Sequence, residues 1–186
     1  MAKSAMPLLV RPAEEVDSGA IALSHVRSWQ EGYAGVISRE YLRSLDLELP
    51  NRTARWQTLI LGAGAEARFV LVGEMDGEVA GWISGGPYRD PSPDEPPLAD
   101  RASLGEVYGC YVDPAHWREG VGSALMAAAL GRLAGAGFEE AALWVLEENP
   151  RARAFYERHG WLADGARKFF DVAGGHYPEI RYRRPL

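Results

Sequence analysis

Apolar residues recur at helical spacing through the first third of the chain and change to strand-like runs from Phe69 onward. A short apolar run, Leu8-Leu9-Val10, stands before Arg11-Pro12 as a first strand. Asp17 and Ser18 suit the cap of a helix that carries Ile21, Leu23, Val26 and Trp29. A second helix is expected around Arg39 to Leu45. A third runs from Arg52 to Leu61, where Trp56, Leu59 and Ile60 keep the helical period until Gly62 and Gly64 stop it. Phe69 to Val72 and Val79 to Ile83 then flank Asp76-Gly77, a residue pair suited to a tight hairpin turn.

The proline-rich, acidic stretch 87–100 reads as a surface loop. Val107 to Val112 is the next strand, closed by Asp113-Pro114. Arg118 to Leu133 is an amphipathic helix with Val121, Leu125 and Leu133 on one face, and Gly135 and Gly137 end it. Ala141 to Leu146 is continuously apolar, as in a strand buried on both faces. Arg151 to His159 is a short helix stopped by Gly160, and Ile180 to Arg184 alternates like an exposed strand. This order predicts an α/β (α+β) fold, a mixed sheet with helices on its faces. The 118–133 helix crosses between two parallel strands.

Composition narrows the field. The 186 residues suit one domain, 1–186. A net charge of −6 argues against a nucleic-acid partner, which needs excess Lys and Arg to neutralise phosphates. No apolar run approaches the roughly 18 residues of a membrane span, and Met1 to Pro7 lacks a signal-peptide core. A cytoplasmic protein with no membrane partner is expected. The single cysteine, Cys110, excludes an internal disulfide and a cysteine metal cluster, and the four dispersed histidines carry no zinc spacing, so no metal is expected.

Two segments carry candidate chemistry. In Val112-Asp-Pro-Ala-His-Trp-Arg-Glu-Gly-Val-Gly-Ser123 a strand ends and glycines open a long helix. Glycine lets a ligand approach the backbone. The first helical amides lack carbonyl partners and have the positive end of the helix dipole behind them, which suits a pyrophosphate. A tight turn with no ligand is the alternative reading. There is no Gly-Lys-Ser/Thr, so the NTPase P-loop is excluded. Leu125 stands where the dinucleotide fingerprint needs a third glycine. The second segment is Asn149-Pro-Arg-Ala-Arg-Ala-Phe-Tyr-Glu-Arg-His-Gly-Trp161. Asn149 is a good N-cap and Pro150 fits the first helical position.

Together these segments resemble the GNAT superfamily of acetyl-CoA-dependent N-acetyltransferases. Trp117-Arg-Glu-Gly120-Val-Gly122 is similar to the family's Gln/Arg-x-x-Gly-x-Gly/Ala motif, with Trp117 in place of Gln or Arg. Asn149, Ala152, Phe155, Tyr156 and Gly160 match its Asn-x-x-Ala-x-x-Phe-Tyr-x-x-x-Gly-Phe segment, with Trp161 for Phe. The resemblance implies a mostly antiparallel twisted sheet with a splayed parallel strand pair. It also implies acetyl-CoA as co-substrate, its phosphates at Trp117, Arg118, Glu119, Gly120, Val121, Gly122 and Ser123. Its pantetheine would pair with the backbone at Tyr111 and Val112, and Asn149, Phe155 and Tyr156 complete the cofactor-binding set.

Transfer of acetyl to an amine needs a base for the ammonium and an acid for the leaving thiolate. By resemblance, Tyr156 is the acid. Glu106, at the head of the central strand, is either the base or one half of an ion pair. Tyr108 is either a proton relay or a packing residue. Trp29, Tyr33, Tyr88, Tyr108 and Trp144 line the acceptor pocket or belong to the core. Asp90, Asp94, Glu95 and Asp100 suit either a cationic acceptor or a solvated loop. Cys110 reads as a buried, inert thiol, with a ping-pong nucleophile that would carry the acetyl group as the alternative. The acceptor is a small-molecule or peptide amine, and a homodimer is compatible with the family. A CoA-binding sensor or interaction module without catalysis is the alternative.

Overall fold

A computed structural model describes residues 7–89 and 101–186. The chain runs β1 (Leu9–Pro12), α1 (Ser18–Gly32), α2 (Arg39–Ser44), α3 (Leu49–Leu61), β2 (Phe69–Met75) and β3 (Glu78–Pro87). It continues through β4 (Leu104–Val112), α4 (Val121–Gly135), β5 (Glu140–Leu146), α5 (Pro150–Arg158), β6 (Leu162–Val172) and β7 (Gly175–Pro185). The strands form one sheet in the order β1-β2-β3-β4-β5-β7-β6. Every neighbouring pair is antiparallel except β4 and β5. This is the mixed α/β sheet expected from the sequence. No helix among the described residues is long and apolar enough to cross a membrane.

Local chemistry sets the elements. Asp76 and Gly77 have φ of 51° and 84°, the two positive values of the turn type that matches strand twist. Strand alternation sends Phe69 and Leu71 to one face of the sheet and Val70 and Val72 to the other. The first face is covered by α4, which buries Val121, Leu125, Met126, Ala129 and Leu133. The second is covered by α1 and α3 through Ile21, Ala22, Trp56 and Ile60. Asp17 does not cap α1 with its side chain. Its carboxylate instead accepts from the Glu14 amide at 2.8 Å and pairs with Arg11 at 2.6 Å.

Two features depart from the sequence expectation. Residues Leu162–Val172 form a strand that the reading had left without an element. And β7 is not an exposed strand: it lies between β5 and β6, with Ile180, Arg181 and Tyr182 buried. Arg181 tolerates this because its Nε donates to Asp164 at 2.7 Å and its Nη1 to the Tyr88 hydroxyl at 3.1 Å.

The parallel seam between β4 and β5 is short. It joins only Leu104, Gly105 and Glu106 to Glu140, Ala141 and Ala142. Beyond it, β4 follows β3 and β5 follows β7, so the two strands part. The parting begins at a bulge: Ser84 pairs with Gly109 and Gly85 with Val107, which leaves Tyr108 as the extra residue.

Leu125 of α4, the helix whose N-terminus faces this gap, is fully buried against the sheet. Leu125→Ala is expected to cost about 2–5 kcal/mol. The measurement is the shift in urea midpoint at unchanged slope.

Candidate active site

The loop before α4 is shaped by backbone conformations that few residues adopt. Arg118 has φ of 70° and Gly120, the N-cap of α4, has φ of 87°. A Cβ at Gly120 would meet nothing within 4 Å, so glycine is needed there for its conformation and not for space. No side chain caps α4. The first-turn amides are therefore unpartnered at the positive end of a 15-residue helix. Consecutive amides in such a turn form an anion-binding concavity.

The side chains expected at this loop do different things. Val121 is buried in the core and offers only its backbone. The Ser123 hydroxyl lies 3.0 Å from His159 Nε2. Glu119 lies 2.9 Å from His116 Nδ1 and does not line the cavity. Phe155 reaches over from α5, and a Cβ at Gly122 would come within 3.4 Å of its ring. Asn149 Oδ1 accepts from the Ala152 amide at 3.0 Å and so caps α5.

Trp117 is a platform. Its indole Nε1 donates to the Val112 carbonyl at 2.8 Å, the same oxygen that accepts from the Ser28 hydroxyl at 2.8 Å. The Arg151 guanidinium sits 3.5 Å from its ring centroid. Burial lowers the pKa of Arg151, which forms no ion pair among the described residues. The sequence reading missed this cation, although it stands two residues after Asn149. An uncapped helix start, a left-handed glycine and a stacked guanidinium together fit a diphosphate.

A continuous cavity of about 1330 Å³ is lined by this loop, by the diverging strands and by α1. Tyr156 lines it, and its hydroxyl has no hydrogen-bond partner among the described residues. Burial, reinforced by Cys110 and Tyr111, raises the Tyr156 pKa well above the ordinary phenol value. The Tyr111 hydroxyl is 3.3 Å from that of Tyr33. Tyr108 donates from its hydroxyl to the Pro87 carbonyl at 2.7 Å. Burial pushes the Cys110 thiol up to about 12.

Of the aromatic residues expected at the acceptor pocket, Trp29, Tyr33, Tyr108 and Trp144 line the cavity and Tyr88 does not. Tyr88 is buried with Leu104 and Ala142, and its hydroxyl accepts from Trp144 Nε1 at 3.2 Å. Glu106 does not line the cavity either. It is 1 % exposed, and its carboxylate accepts from the Arg89 amide at 3.0 Å and from the Arg89 guanidinium. A second carboxylate, Glu179 of β7, does line the cavity, with Lys168 Nζ 3.8 Å away. Burial raises its pKa. The family resemblance reaches Glu179-Ile-Arg-Tyr182 but assigns this carboxylate no role. Asp90, Asp94, Glu95 and Asp100 lie outside the described residues.

Comparison with known proteins places the chain in a family and matches its fold. The sequence model of the Acetyltransferase (GNAT) family matches residues 28–161. The chain is similar to YuaI, an uncharacterized N-acetyltransferase of Bacillus subtilis (strain 168). The identity is 31% over 171 residues, which is 92% of this chain and 89% of that protein. Its fold is similar to that of the PaiA N-acetyltransferase from Thermoplasma acidophilum in complex with coenzyme A. There the TM-score is 0.70 at 18% identity, covering 97% of this chain and 100% of that one. A GCN5-related N-acetyltransferase from Rhodopseudomonas palustris superposes with a TM-score of 0.72 at 18% identity, covering 100% of each chain.

The raised thiol predicts that Cys110 resists modification. At pH 8 its alkylation by iodoacetamide is expected to be at least about a hundredfold slower than that of an exposed cysteine, because the thiolate is the reactive species. Mass spectrometry over a time course measures it.

Proposed function

The chain belongs to the GNAT acetyltransferase family, and on that premise we propose that it moves the acetyl group of acetyl-CoA to a primary amine by direct attack in a ternary complex. Residues 1–186 form one such domain in this reading. The observation that carries it is the continuity of one cavity, from the uncapped start of α4, along the parted strands, to the Tyr156 hydroxyl.

Each part of the cavity has a task. The amides from Gly120 to Ser123 and the Arg151 guanidinium receive the diphosphate. The edge of β4 beyond Glu106 has no partner strand on its β5 side, so its backbone is open to amide groups of a pantetheine arm. An amide near Tyr111 donates to the thioester carbonyl as charge develops on that oxygen. Trp29, Tyr33, Tyr108 and Trp144 enclose the acceptor, a small-molecule or peptide amine.

The proton balance follows from the surroundings. A lysine-like ammonium has a pKa of about 10.4, so losing its proton at pH 7 costs roughly 4–5 kcal/mol. The leaving thiolate must gain a proton. Burial takes the neighbouring Cys110 thiol to about 12, so it stays protonated at neutral pH. The same burial keeps the Tyr156 phenol protonated until sulfur needs the proton. A raised Cys110 also favours direct transfer over an acetyl-cysteine route.

Release of free thiol from acetyl-CoA, measured across a panel of amines, tests the function. Binding of CoA with no amine turned over would favour a binding module. Tyr156→Phe is expected to lower kcat by about a hundredfold or more while changing the KM for acetyl-CoA only severalfold. Equal losses in both would assign Tyr156 to packing. Gly120→Val forces a β-branched residue into left-handed backbone and is expected to weaken CoA binding by about tenfold or more. Calorimetry reads the affinity, and circular dichroism confirms that the variant folds.

A further inference from the structure

We propose that Glu179 of β7, and not Glu106, is the general base that accepts the proton of the acceptor's ammonium group. The inference rests on the acetyltransferase reading above and deepens it.

The two carboxylates are distinguished by access. Glu106 is shut away from the cavity, and both of its oxygens are taken by Arg89. Its oxygens are occupied by hydrogen bonds from Arg89 and do not face the space an acceptor would enter. Glu179 lines the cavity. Its cross-strand partner on β6 is Lys168, whose Nζ is 3.8 Å from the carboxylate and 4.3 Å from the Trp144 ring centroid.

The groups that face Glu179 come from several elements. They are Lys168 on β6, Arg89 two residues past β3, Glu106 on β4, Tyr33 at the C-cap of α1 and Tyr111 on β4. Its charge is felt by both Tyr33 and Tyr111, the phenols that meet across the cavity beside the parted strands. Burial raises the Glu179 pKa and outweighs the opposing pull of Lys168 and Arg89. A carboxylate whose pKa burial raises is a better base than an exposed one.

The step balances. The ammonium nitrogen gives one proton to the Glu179 carboxylate, and its freed lone pair forms the N–C bond to the acetyl carbon. The C–S bond breaks as sulfur takes the Tyr156 proton. The second nitrogen proton restores the phenol, and Glu179 releases its own to water.

The test uses the full chain and the fastest amine of the panel. Wild-type kcat/KM is expected to fall as pH drops through the raised Glu179 pKa, because only the ionised form accepts a proton. Glu179→Gln is expected to lose about a hundredfold near neutral pH and to lose that acid limb, with acetyl-CoA affinity unchanged within severalfold. Glu179→Asp keeps the limb at a reduced rate. Lys168→Met removes a cation that favours the ionised form, so it moves the limb to higher pH. On the protein alone, difference infrared spectroscopy should show a carboxyl band that titrates above the usual carboxylate range and vanishes in Glu179→Gln. An acid limb that survives Glu179→Gln, or that disappears in Glu106→Gln instead, overturns the assignment and leaves the function standing. If the wild type acetylates no amine, both fall together.

Discussion

A parallel seam three residues long decides this structure. Leu104 to Glu106 and Glu140 to Ala142 hold β4 and β5 together at one end. The bulge at Tyr108 then turns β4 toward β3 and away from its neighbour. A fully zipped pair would satisfy every backbone group and leave no entrance. Because the zip stops, the middle of the sheet keeps open edges without exposing them at its rim. The amides that would have bound a strand are left for a ligand, and α4 begins where the gap widens.

The features that could be read from the chain are those written in short stretches. Asp76-Gly77 specifies its turn through two positive φ values, and Asn149 caps α5 with its own side chain. The glycines at 120 and 122 stand where the helix starts, and Tyr156 lines the cavity. The features that escaped depend on partners far away in sequence. β6 carries no steady alternation, and Asp164 and Gly165 interrupt it. The arginines of β7 resemble an exposed face until Asp164 and Tyr88 are brought to Arg181. Tyr88 is an aromatic like the pocket residues, but its hydroxyl is engaged in the core. Nothing local distinguishes Glu179 from any other surface glutamate.

Charge in the interior is arranged by the same long-range packing. The chain carries a net charge of −6, yet the cavity wall includes Arg89, Arg151 and Lys168. One buried carboxylate is neutralised by a guanidinium, and the other is held beside an ammonium at a longer distance. The first arrangement stabilises the strand head by leaving no charge unpaired in the interior. The second leaves the Glu179 carboxylate on the cavity wall with a looser ion pair. Position in the sheet, not residue type, separates the two.

The Val112 carbonyl oxygen takes hydrogen bonds from Ser28 on α1 and from Trp117 in the loop before α4. One atom thus ties α1 and the loop before α4 to the end of β4. Loss of either donor would leave that oxygen with one side-chain hydrogen bond in place of two and would untie one of the two elements from the end of β4.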